Sequence, residues 1–236
     1  MKRRSILIAA SPHSDPALGV YPDMRAWETF LRSGYGGAWK AEEVILATDW
    51  GKEKILSAIT SFADADYSVV IFAGHAHTVK TGLPWKELQL LLGTGELLME
   101  RELNPGTPRC AFVLDCCRSA ALEERVEFSV KKAAIIEQID NLQAYRVAFD
   151  QAVMSAEGGL VKIYATEDGS DAEDEDSFSQ HLIFTASEWA ARNRGTLSLR
   201  EGVDLAAVSI AKLVPQQKPE YRGGRRLRHF PIAVSI

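Results

Sequence analysis

Sulfur is scarce in this sequence: three cysteines in 236 residues, two of them adjacent. Three thiols cannot build a disulfide framework, so a reducing, cytoplasmic setting is expected and the core must come from apolar burial alone. Long apolar runs are also missing. The first one, Ile6 to Ala10 behind a basic lead-in, stops at Ser11-Pro12-His13, too short for a signal-peptide core, and no later stretch could span a membrane. Charge of one sign is lacking too. A net charge of −5 argues against a dedicated nucleic-acid binder. The turn Gly34-Tyr-Gly-Gly37 is not followed by Lys-Ser/Thr, which removes a phosphate-binding loop and leaves a helix terminus.

What is present is an alternation of short apolar runs with amphipathic stretches. Ser5–Ala10, Val44–Ala47, Tyr67–Ala73, Cys110–Asp115 and Val161–Thr166 have the continuous apolar character of buried parallel strands, and Phe230–Ile236 reads as a last strand. Between them, Met24, Trp27, Phe30 and Leu31 recur at helical spacing after Asp23, as do Ile55, Leu56, Ile59 and Phe62. Pro84 to Leu92 is predicted as a short helix, and Gly93 to Pro108 as a loop with a small hairpin. Phe178–Arg192 is helical, and the capping box Ser198-Leu-Arg-Glu201 opens a helix through Leu213. This pattern predicts one α/β domain over residues 1–236, a mostly parallel sheet with helices on both faces. A helical insertion at about 120–156 and an acidic loop at about 167–176 interrupt it.

Two strands end in reactive side chains. Tyr67–Ala73 runs into Gly74-His75-Ala76-His77, and Cys110–Asp115 into Cys116-Cys117. A thiol becomes a strong nucleophile when a base takes its proton, and His is the usual base near neutral pH. Neighbouring strands would bring His75 close to the thiols, and backbone N–H groups near residue 76 would suit an oxyanion. Spacing does not choose between Cys116 and Cys117; strand alternation only sends them to opposite faces. A zinc site from His75, His77, Cys116 and Cys117 departs from structural zinc spacing.

The residues around these two ends resemble the caspase-like cysteine peptidases, nearest to the prokaryotic metacaspase-like (orthocaspase) proteins. Phe72-Ala-Gly-His-Ala76 is similar to the family's Tyr-Ser-Gly-His-Gly motif, and Asp115-Cys-Cys-Arg-Ser-Ala120 to its Asp-Ser-Cys-His-Ser-Gly motif. Leu18-Gly-Val-Tyr-Pro-Asp23, Leu46-Ala-Thr-Asp49, Phe178–Phe184 and Gln216-Gln-Lys-Pro219 resemble further family segments in the right order. The chain departs from the pattern at Ala76 and Ala120, where the family has Gly, and at Arg118, where it has His.

The resemblance implies a three-layer α/β/α sandwich, its six-stranded sheet mostly parallel with an antiparallel last strand. It implies a cysteine endopeptidase with Cys117 as nucleophile, His75 as base, and the amides of Ala76 and Cys117 as oxyanion hole. It gives Asp23 and Asp115 the task of binding an Arg or Lys side chain before the scissile bond. The expected partners are a protein substrate and a regulatory protein, with neither nucleic acid nor membrane. No metal or cofactor is implied, except calcium as an activator of some family members; the acidic run lacks EF-hand spacing. Self-cleavage after Arg125, Lys131, Lys132 or Arg146 is a further expectation. The opposing class is a catalytically inactive caspase-like module that works by binding, for which Ala76 and Ala120 speak.

Overall fold

A computed structural model describes residues 1–14, 16–17, 19–80, 86–116, 141–170 and 177–236. Its centre is a six-stranded sheet built from β1 (Arg3–Ala9), β2 (Val44–Thr48), β3 (Tyr67–Ala73), β7 (Arg109–Asp115), β8 (Gly159–Tyr164) and β10 (Glu220–Arg222). The spatial order is β10-β8-β7-β3-β1-β2. Every pairing is parallel except β10 on β8. Alternation along the buried strands divides the core in two. Tyr67, Val69, Ile71 and Ala73 face one apolar cluster, while Val70 and Phe72 face the other.

The first cluster is covered by α1 (Val20–Arg32), α3 (Leu142–Ser155), α4 (Phe178–Arg192) and α5 (Leu199–Ile210). The second face carries α2 (Lys52–Thr60) and a small antiparallel sheet of β4 (Ala76–Lys80), β5 (Lys86–Leu91) and β6 (Leu97–Met99). The predicted helix from Pro84 to Leu92 is therefore wrong: its described part is strand β5. Leu88 and Leu90 enter the core at period two, and their alternation prevails over the helical propensity of a leucine-rich stretch.

Three boundaries also differ from expectation. Helix α1 starts at Val20, with Pro22 in the first turn, where a missing N–H costs nothing. Residues 231–235 form β11 (Pro231–Ser235), which leaves the main sheet and pairs with β9 (Gly195–Ser198); the antiparallel sixth strand is β10 instead. The supposed insertion at 120–156 includes α3, and α3 is part of the core through Tyr145, Phe149 and Val153. Residues 120–140 lie outside the described residues. The predicted capping box does form: Ser198 Oγ accepts from Glu201 N–H at 3.2 Å, and Glu201 accepts from Ser198 N–H at 3.1 Å.

Helix α3 is fastened to the N-terminal strand by a buried cation. Arg3 is fully buried, pairs with Asp150 at 2.6 Å, donates to the Gly37 carbonyl at 2.8 Å and lies against the Trp39 and Phe149 rings. One turn earlier on α3, Arg146 grips both carboxylate oxygens of Glu43.

Candidate active site

Strands β1, β3 and β7 all deliver their C-terminal ends to one side of the sheet, where open α/β sheets place their chemistry. The register pairs Ala73 with Asp115, and Gly74 N–H donates to the Asp115 carbonyl at 3.3 Å. His75 therefore leaves β3 beside the end of β7. It is buried, and its carbonyl accepts from Leu91 N–H at 2.9 Å, which starts the β4–β5 ladder. Gly74 is required by close approach: a Cβ there would lie 2.6 Å from the Ala10 carbonyl oxygen.

Ala76 faces Leu90 across the ladder. The Leu91-to-His75 bond makes this a non-hydrogen-bonded pair, so the Ala76 N–H is directed away from β5. Among the described residues the only non-glycine positions with positive φ are Ala38 and Asp49. The alanine at 76 is thus accommodated without left-handed backbone.

Beyond β7 the two faces separate. Cys116 is buried in the cluster on the α2 side together with Phe112 and Leu114. Asp115 points the other way, toward α4, and its Oδ2 accepts from Ser179 N–H at 2.7 Å. Cys117, the candidate nucleophile, and Ala120 lie outside the described residues. Cys110 is deep in the core, and burial pushes its thiol up to about 12, which leaves it protonated and inert.

Asp23 meets the same helix. It is buried on α1, and its Oδ1 accepts from Gln180 Nε2 at 2.8 Å. Four residues on, the Trp27 indole N–H donates to Ser179 Oγ at 2.9 Å. Asp23 and Asp115, far apart in sequence, are thus held by consecutive residues at the N-terminus of α4, where the helix dipole favours negative charge. Sequence reasoning missed Ser179 and Gln180. The one local signal was Ser177-Phe-Ser-Gln180, which has the Ser-x-x-Gln pattern of a capping box. Ser177 caps as that pattern requires, accepting from Gln180 N–H at 3.3 Å, but the Gln180 amide reaches across to Asp23.

A third carboxylate braces the neighbouring loop. Asp49, at the end of β2 with φ of 50°, accepts from Ser11 N–H at 2.9 Å and from the Tyr21 hydroxyl at 2.7 Å. That last bond leads the causes that raise the Tyr21 phenol above its ordinary value.

Among the described residues no three His, Cys, Asp or Glu side chains converge as a metal site. His77, one of the four residues of the zinc reading, pairs with Gln89 at 2.8 Å across β4–β5. Of the acidic run, Glu167 bonds Lys218 at 3.2 Å and Asp168 bonds Lys86 at 2.9 Å; residues 171–176 lie outside the described ones. A groove of about 790 Å³ opens between α3, α5 and the turn before β11, and none of the candidate residues lines it. The β3–β7 register instead brings the end of β3, which continues into His75, beside Asp115.

The sheet order, the antiparallel edge strand and the two covered faces define a caspase-like α/β fold. Caspase-1 from Spodoptera frugiperda shares it with a TM-score of 0.59 at 15% sequence identity, over 95% of this chain and 88% of that one. No protein-family model matches the chain, and no curated protein sequence does.

Proposed function

We propose that the chain is a caspase-like cysteine endopeptidase that cleaves protein substrates after Arg or Lys. The observation that carries this reading is the β3–β7 register, which sets His75 beside the strand end from which the sequence continues through Cys116 to Cys117. In the proposed reaction His75 takes the proton from Cys117. The thiolate adds to the peptide carbonyl carbon, and the negative oxygen is received by the N–H groups of residues 76 and 117. His75 returns the proton to the amine as the C–N bond breaks. Water, deprotonated by the same ring, then releases the acyl group and restores the thiol.

Asp23 and Asp115 are the proposed recognition groups. Two carboxylates held at one helix end offer a cation charge-assisted bonds, and Arg can use both of its nitrogen faces. Self-cleavage is proposed to be confined to Arg125, Lys131 and Lys132. Arg146 is removed from that set by its place in α3 and its ion pair with Glu43. A regulatory partner, calcium activation and a reducing, cytoplasmic setting belong to the same proposal. No helix among the described residues is long and apolar enough to cross a membrane.

The test is hydrolysis of fluorogenic peptides carrying Arg, Lys or Asp before the scissile bond, with and without calcium. Wild type is compared with Cys117→Ala and His75→Ala. Turnover of Arg and Lys peptides that disappears in both variants is expected. Turnover surviving in Cys117→Ala would sink the assignment, and preference for Asp would sink the recognition pair. Silence with every peptide would favour the non-catalytic binding module.

A further inference from the structure

We infer that Gln180 is a positioning residue for cation recognition, holding the Asp23 carboxylate in the orientation that receives a guanidinium. The inference rests on the reading of Asp23 and Asp115 as the recognition pair. Its ground is a junction of three elements. Asp23 and Trp27, four residues apart, lie on one face of α1, and both reach the first turn of α4: Asp23 to Gln180, Trp27 to Ser179. Asp115, from the end of β7, is bound by the Ser179 main chain. Each carboxylate therefore has its own donor on α4, one from the backbone and one from a side chain.

Those two donors differ in kind. The Ser179 N–H is fixed by the helix itself, whereas the α4 bond to Asp23 Oδ1 depends on the residue type at 180. Its amide also forgoes a local use. At the start of α5 the equivalent residue, Glu201, turns back and closes a capping box with Ser198. At the start of α4 the sequence offers the same closure, Ser177 with Gln180, yet the side chain spans 157 positions to Asp23. A neutral donor suits this place. Lys or Arg would neutralise Asp23 and act as a tethered guest, and Glu would repel it. Because Asp23 and Asp115 are both buried, charge on them acts with little screening by water, and a displaced carboxylate plane is felt by a bidentate guest.

The experiment measures binding of agmatine, a small guanidinium, by calorimetry on the full chain carrying Cys117→Ala. Gln180→Met keeps the length and bulk of the side chain and removes the donor; Asp23→Asn removes the charge. Agmatine is expected to bind the parent, to bind Gln180→Met about tenfold more weakly, the worth of one hydrogen bond to a charged group, and to lose still more with Asp23→Asn. Thermal midpoints of all three are measured alongside. An unchanged affinity in Gln180→Met overturns the positioning role, and a parent that does not bind agmatine overturns the cation site itself. Peptide turnover in the Cys117 protein separates this from the wider reading. Agmatine binding without turnover would reject the peptidase and keep the site, while turnover of Arg peptides without agmatine binding would reject the site and keep the peptidase.

Discussion

Asp115 carries the clearest division of labour at the scale of one residue. Its Oδ2 accepts a main-chain N–H from α4, a bond that an amide oxygen can also accept. In the proposed function its charge is what receives the substrate cation. Asp115→Asn should therefore fold with a thermal midpoint close to wild type and lose at least tenfold in kcat/KM on Arg peptides, about 1.4 kcal/mol, mostly through KM. A variant that loses midpoint and kcat together would show a structural role instead. The thiols divide in the same way. Cys110 is held protonated by burial up to about 12, and Cys116 is packed in the core. Iodoacetamide at pH 8 on native protein should modify Cys117 alone, and mass spectrometry of Cys117→Ala should find no adduct. An adduct on Cys110 would contradict the burial that keeps it inert.

Elements explain why some of the site was legible in sequence and some was not. His75 and Asp115 stand where an apolar run breaks into polar residues, and the parallel register then sets those breaks side by side; composition alone reveals such an edge. Gln180 meets Asp23 because α4 packs on α1, and Ser179 meets Asp115 because α4 starts beside the end of β7; no local pattern encodes contacts made 157 and 64 positions away. Strand β5 was misread because Leu88, Leu91 and Leu92 also fit helical spacing, while the small sheet that selects period two consists of neighbours in space. Strand β11 was misassigned for a related reason: β10 is only three residues long, too short to announce itself, and it already holds the edge position. The tight joint between β1 and β3 does make a prediction. Gly74→Ala would drive a Cβ to 2.6 Å from the Ala10 carbonyl oxygen, a backbone atom that cannot swing away. Stability should fall by about 1–3 kcal/mol in urea titration. Turnover at saturating peptide should fall further than that of Asp115→Asn, because the residue displaced is next to His75. Wild-type kcat in Gly74→Ala would show that the β3 terminus tolerates movement and that His75 is not positioned by it.

Across the whole molecule, the two halves of the chain on either side of residues 117–140 are joined by the sheet and by the charges that dock α3. Strand β8 pairs directly with β7, and Arg3 and Glu43 of the first half meet Asp150 and Arg146 of the second. Glu43 decides how this docking responds to acid. Burial alone would raise its carboxyl. The Arg146 hydrogen bond, the Lys40 backbone N–H and the charges of Arg146 and Arg3 together outweigh burial and hold it below the ordinary glutamate range. The same pair holds the Arg146 guanidinium above its ordinary value, through the Glu43 hydrogen bond first, so the two partners agree in direction. A carboxyl lowered in the folded state binds fewer protons there than in the unfolded chain. Its stabilising contribution is complete above the unfolded value, about 4.3, and is lost as pH falls toward the folded value. The thermal midpoint should therefore be flat near neutrality and drop below about pH 4.5. Arg146→Met removes the partner while keeping an unbranched apolar stem. It should lower the midpoint at pH 7 and leave a shallower decline in acid, because Glu43 then titrates closer to its unfolded value and contributes less linkage. If the variant and wild type decline in parallel from pH 7 to pH 3, the acid response comes from other carboxylates, and the ion pair docks α3 by geometry without setting its pH dependence.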